Sequence, residues 1–228
     1  MRLKPYSKCL TTPYGVLQNF SKSAVLIFFL ICQPAFAERP KVLVLGDSLT
    51  QGYGLAQHDG FVPQLMQWLS DQGTPAHIIN AGVSGDTTAG GLERVEWSLA
   101  EGVDAMIVAL GSNDMLRGIA PDDSYRNIEN ILKIGQRGGV RLMIIGVRAS
   151  GNFGPIYKKD FDAIFPKLAK IYQAEYVDHF FEGLMDPSQP SQPALKYLQR
   201  DRMHPNRKGV QKVVKTIGTT VQQLIAEH

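Results

Sequence analysis

From Lys41 onward, short apolar runs alternate with longer amphipathic stretches. Val42-Leu43-Val44-Leu45 predicts a buried strand ending at Gly46, and residues 61 to 70 carry Phe61, Leu65, Met66 and Leu69 at helical spacing. Ala76 to Asn80 reads as a second strand, followed by a helix that begins near Thr87. Ala105 to Leu110 is a continuous apolar run, the mark of a strand covered on both faces in a parallel sheet. Tyr125, Ile128, Ile131, Leu132 and Ile134 define a helix over 123 to 137, and Arg141 to Val147 a fourth strand. One helix is expected across Phe161, Ile164, Phe165, Leu168 and Ile171, a short fifth strand over Glu175 to Val177, and a last helix after Pro205. This alternation predicts one α/β domain: a central parallel sheet of about five strands between two helical layers, with ligands collecting at the carboxyl ends of the strands. Gly46-Asp47-Ser48, Asn80 to Asp86 and Gly111-Ser112-Asn113-Asp114 each follow one of the first three strands, so all three should meet at that rim.

The first 37 residues break the pattern. They carry Arg2, Lys4, Lys8 and Lys22, no acidic residue, an apolar stretch from Ala24 to Cys32, and Ala35-Phe36-Ala37, whose alanines supply small residues at the positions a signal peptidase reads. This is the order of a secretory signal, which places the mature domain at 38–228 and its location in the periplasm or outside the cell. A membrane anchor fits less well, because Gln33 and Pro34 end the apolar run short of the ~20 residues needed to span a bilayer. A lipid-modified Cys32 is disfavoured by the bulky Ile31 before it.

Removing the signal takes four of the 24 Lys and Arg residues, leaving 20 against 21 Asp and Glu. The mature domain is therefore near neutral, with no basic stripe for a nucleic acid. Cys9 and Cys32 both fall in the signal, so a disulfide, a thiol nucleophile and a cysteine metal site are excluded from 38–228. No His/Asp/Glu cluster has zinc or iron spacing either, and no metal or other cofactor is expected.

Ser48 stands where a buried strand gives way to a helix, a position that favours developing negative charge. Asp47 and Ser48 are also favoured helix caps, and the G-x-S-x-G elbow of other hydrolases fails here because Thr50 replaces its second glycine. A serine hydroxyl needs a base held by a carboxylate. Asp201-Arg202-Met203-His204-Pro205 offers such a pair, three residues apart in a turn, although surface turns often contain both types. His58, His77, His179 and His228 lack comparable partners in sequence and read as structural or solvated. Gly85 and Asn113 could donate to an oxyanion; equally, Gly85 could serve a tight turn and Asn113 a turn or helix cap.

Joint occurrence is more specific. Gly46-Asp47-Ser48-Leu49, Asn80-Ala81-Gly82-Val83-Ser84-Gly85-Asp86-Thr87, Gly111-Ser112-Asn113-Asp114 and Asp201-Arg202-Met203-His204-Pro205, in that order, resemble the sequence blocks of the SGNH (GDSL) hydrolases. The likeness is greatest to the branch containing bacterial periplasmic thioesterases, lysophospholipases and arylesterases. It extends over essentially the whole mature domain, including Ile164-Phe165-Pro166-Lys167-Leu168-Ala169-Lys170. The resemblance implies a flavodoxin-like three-layer sandwich and a monomer acting on small acyl esters or thioesters. It makes Ser48 the nucleophile, His204 its base and Asp201 the orienting carboxylate, with the Ser48 and Gly85 N–H groups and the Asn113 side chain as oxyanion hole. Two positions depart from that branch: Ser112 replaces a second glycine, and Ala149-Ser150 replaces a bulkier apolar residue and proline. A carbohydrate or cell-wall O-acetylesterase would use the same triad on a smaller acyl group, and a noncatalytic periplasmic binding module could use the same scaffold.

Overall fold

The computed structural model describes residues 38–99, 102–186 and 189–226; the expected signal segment lies outside them. Five parallel strands form the central sheet: β1 (Lys41–Gly46), β2 (His77–Gly82), β3 (Ala105–Ala109), β4 (Arg141–Ile145) and β5 (Glu175–Val177), in the order β2-β1-β3-β4-β5. This is the flavodoxin-like order, with a topological switch between β1 and β3. The crevice opened by that switch lies at the carboxyl ends of those two strands.

Side chains alternate across β1. Val42 and Val44 join a core with α2 (Phe61–Asp71) and α8 (Arg207–Ala226), whereas Leu43 and Leu45 join a second core with α3 (Thr88–Ser98), α5 (Pro121–Arg137), α6 (Gly154–Asp162) and α7 (Ile164–Tyr172). Both faces of the strand are apolar because both are covered. Two shorter helices, α1 (Ser48–Gln51) and α4 (Ser112–Arg117), start at the carboxyl ends of β1 and β3. Between β5 and α8 lies an antiparallel pair, β6 (Met185–Asp186) and β7 (Gln189–Pro193).

Several expectations from the sequence need correction. The single helix expected across Phe161 to Ile171 is two, α6 and α7, meeting at Ala163. Pro166 accounts for the break: it has no N–H, and in a continuous helix its ring would collide with the Asp162 carbonyl, whereas it is tolerated in the first turn of a new helix. Strand β4 stops at Ile145 rather than Val147, since its neighbour β5 is only three residues long and pairs no further than Ile145 with Val177. Strand β2 runs two residues beyond Asn80, following β1 to the Gly46–Gly82 pair.

Candidate active site

Asp47 caps α1, its Oδ1 accepting the Leu49 N–H at 2.9 Å, and this sets Ser48 as the first helical residue. The turn is packed against β2 so closely that a Cβ on Gly82 would lie 2.3 Å from the Gln51 nitrogen; only glycine allows the approach. The first N–H groups of a helix have no intrahelical acceptor, so the backbone at Ser48 presents a donor at the rim.

His204 arrives from the other end of the chain. Its Nε2 is 2.8 Å from Ser48 Oγ, and its Nδ1 is 2.7 Å from Asp201 Oδ2. The other oxygen of Asp201 accepts the N–H groups of Met203 and His204 at 2.9 and 3.1 Å, which fixes the carboxylate behind the ring. Burial works to raise this carboxyl, but the two N–H bonds and the imidazole outweigh it and hold Asp201 down at about 2. The loop is closed by a bridge between Leu198 and Pro205 and by Gln199 N–H donating to the His204 carbonyl at 2.8 Å. Asn206 then caps α8, accepting from Gly209 N at 3.0 Å.

Residues without a local sequence signal join these segments. The Gln199 amide donates to the carbonyls of Tyr53 and Pro205 at 2.8 and 3.0 Å, tying the loop after α1 to the His204 loop. The Tyr53 ring lies against the His204 ring, centroids 4.7 Å apart. Arg94 donates to Asp86 Oδ2, the Ala81 carbonyl and the Gly46 carbonyl at 2.8, 2.8 and 3.0 Å, so one guanidinium holds the ends of β1 and β2 and the turn beyond β2.

Gly85 occupies the third position of a turn closed by Asp86 N–H donating to Val83 O at 3.1 Å, with φ of 81°. That conformation favours glycine. The structural reading of Gly85 as a turn residue therefore holds, and it is compatible with a donor role. Asn113 lies in α4 and donates one amide proton to the Asp86 carbonyl at 2.9 Å. A carboxamide has two donors, so the second is left to point elsewhere. Beside it Asp114, fully buried, accepts from Thr88 N, Thr88 Oγ1 and Ser124 Oγ at 2.9, 2.5 and 3.1 Å, locking α4 to α3 and α5. The five residues singled out in sequence thus lie on connected rim segments, with direct contact between Ser48, His204 and Asp201. The other described histidines have no such arrangement: His58 and His77 are exposed, and His179 is buried, with burial lowering its pKa. Among the described residues no group of three or more His, Cys, Asp or Glu could hold a metal ion.

Asp47 is 1% exposed, and its Oδ2 has no hydrogen-bond partner in the protein. Burial pushes its carboxyl up to about 6, against the lowering effect of the Leu49 N–H. The Ser112 hydroxyl also favours the charge without meeting hydrogen-bond geometry. Between about pH 4 and 6 the folded protein keeps a proton that the unfolded chain has released, so stability falls as pH rises through this window. Asp47→Asn removes that titration: the stability of the variant relative to wild type should increase by about 2 kcal/mol between pH 4 and pH 7. Urea denaturation at both pH values measures it, and an unchanged difference would contradict the assignment.

A hydroxyl, an imidazole and a carboxylate in line at the carboxyl end of a parallel sheet are the arrangement of a serine ester hydrolase. The chain belongs to the GDSL-like Lipase/Acylhydrolase family, whose model matches residues 44–212. It is 31% identical to Esterase TesA of Pseudomonas aeruginosa over 89% of this chain and 97% of that protein. It is 30% identical to Thioesterase 1/protease 1/lysophospholipase L1 of Escherichia coli K12, over 79% and 83% respectively. Among solved structures, the SGNH-hydrolase family esterase AlinE4 matches with a TM-score of 0.67 and 37% identity, covering 83% of this chain and 98% of that one.

Proposed function

We propose that this chain hydrolyses carboxylic esters and thioesters through an acyl-enzyme on Ser48. The contact that carries the reading is the Asp201–His204–Ser48 relay, 2.7 and 2.8 Å long. His204 Nε2 takes the hydroxyl proton as Ser48 Oγ attacks the acyl carbon, and Asp201 stabilises the imidazolium. The carbonyl oxygen becomes an oxyanion, bound by the N–H groups of Ser48 and Gly85 and by the second amide proton of Asn113. Collapse of the tetrahedral intermediate expels the alcohol or thiol, which receives the proton from His204. Water, deprotonated by His204, then attacks the acyl-enzyme, and the acid leaves as Ser48 recovers its proton.

Asp201 stays ionised down to about 2, so its own protonation takes no part in any loss of activity between about pH 4 and 7. Asn113→Ala removes one oxyanion donor and should lower kcat by about 10²- to 10³-fold with KM little changed. Steady-state kinetics on one ester checks this; a loss confined to KM would assign Asn113 to binding.

The name of the Escherichia coli relative supports acyl thioesters and lysophospholipids as substrates, and that of an Arylesterase from Vibrio mimicus, 30% identical to this chain, supports aryl esters. Leu116, Phe153 and Ile156, 55%, 48% and 76% exposed on α4 and around the start of α6, offer apolar surface for an acyl chain longer than acetyl. A p-nitrophenyl ester series from acetate to palmitate, with acyl-CoA and lysophospholipid alongside, tests this. Activity confined to acetate would favour the O-acetylesterase reading, and no turnover of any ester would overturn the proposal. The basic, apolar, small-residue order of residues 1–37 supports export with cleavage after Ala37, giving a protein of the periplasm or exterior. Among the described residues no helix is long and apolar enough to cross a membrane.

A further inference from the structure

In each half of the acyl-transfer reaction the His204 imidazole gains a positive charge and then gives it up. Its two nitrogens are already engaged, Nε2 by Ser48 and Nδ1 by Asp201, so any further stabilisation of that charge must come through a face of the ring. Against one face lies the Tyr53 ring, with centroids 4.7 Å apart and planes inclined at 38°. Rings this close and this near to parallel cannot lie edge to edge, so the tyrosine presents its face. The face of an aromatic ring carries the negative part of its quadrupole and attracts a cation within about 6 Å of its centroid.

The backbone of Tyr53 is tied to both partners in the proton transfer. Its N–H donates to the Ser48 carbonyl at 3.1 Å, and its own carbonyl accepts the Gln199 amide at 2.8 Å. Gln199 in turn donates its backbone N–H to the His204 carbonyl at 2.8 Å. The ring is thereby held between the turn after the nucleophile and the loop that carries the base. It has little to do for the fold: it is 52% exposed, and its hydroxyl makes no hydrogen bond among the described residues. What the tyrosine brings to the site is the face it turns to the imidazole.

A base starts neutral and becomes a cation only on taking the Ser48 proton. The attraction to the ring face is therefore stronger in the transition state than in the ground state, the condition under which an interaction raises kcat and leaves KM alone. Resting on the acyl-enzyme reading above, we propose that Tyr53 is a positioning residue for His204 whose ring face stabilises the imidazolium formed in acylation and again in deacylation.

The test compares wild type with Tyr53→Phe, Tyr53→Leu and Tyr53→3,4,5-trifluorophenylalanine by kcat and KM on one p-nitrophenyl ester. Phenylalanine keeps the face and loses only the unbonded hydroxyl, so kcat should stay within about twofold. Leucine removes the face, and fluorine withdraws charge from it; both should lower kcat by about fivefold to tenfold at unchanged KM. The fluorinated ring has nearly the shape of phenylalanine, so it tests the proposal even where leucine disturbs the loop. A trifluoro variant as active as Tyr53→Phe means that the ring acts by shape alone and overturns the proposal, as does a Tyr53→Phe variant as slow as Tyr53→Leu, or a loss confined to KM. Fluorophosphonate labelling of the wild type separates the two levels: a labelled Ser48 with kcat unmoved across the series defeats only the role of Tyr53, whereas an unlabelled one defeats the acyl-enzyme reading as well.

Discussion

Ser48→Ala should lower kcat/KM for a p-nitrophenyl ester by about 10⁴- to 10⁶-fold without unfolding the protein. The hydroxyl has one described partner, His204 Nε2, and alanine is a good residue at the start of a helix, so the cap from Asp47 to Leu49 N–H and the packing of α1 on β2 are retained. Residual turnover would come from the oxyanion donors acting on bound substrate and water. Purified variant and wild type, compared for activity and for thermal midpoint, separate lost chemistry from lost fold. More than a tenth of wild-type activity in a folded variant would remove Ser48 from the reaction.

Asp201→Asn should cost about 10⁴-fold in kcat, with the substrate KM nearly constant. The asparagine oxygen can still accept the Met203 and His204 N–H groups that Asp201 Oδ1 accepts now, so the loop keeps its shape. An amide nitrogen beside Nδ1, however, donates where a carboxylate accepted at 2.7 Å. It favours the imidazole tautomer protonated at Nε2, which cannot take the Ser48 proton, and it removes the charge that stabilises the imidazolium. A loss of less than tenfold would show that Asp201 positions the loop without taking part in proton transfer.

Much of the scaffold was readable because its strands are covered on both sides. Val42 to Leu45 and Ala105 to Val108 are apolar at every position, and each residue is buried. The joint between α6 and α7 was not readable from spacing, since Phe161, Ile164, Phe165 and Leu168 keep one apolar face across it; the informative residue was Pro166. Helix α4 is six residues long and bears the Asn113 motif, so the motif was visible in the sequence before the helix was.

At the site, the Asp201–His204 spacing is local and could be seen as a turn. Contact with Ser48, 156 positions away, depends on topology and followed only from the expectation that strand ends share a rim. Arg94, Gln199 and Tyr53 left no trace in the motifs because they act through carbonyls and a ring face across long separations, 146 residues between Tyr53 and Gln199. Asp47 was recognisable as a cap, but its raised pKa comes from burial that no short window of sequence encodes.

The most direct test is the rate at which a fluorophosphonate modifies the protein, followed by intact mass and peptide mapping, in wild type and in His204→Ala. One adduct on Ser48, formed at least about 10³-fold more slowly without the imidazole, is the expected result. An adduct elsewhere, no adduct, or equal rates in the two proteins would contradict activation of Ser48 by His204.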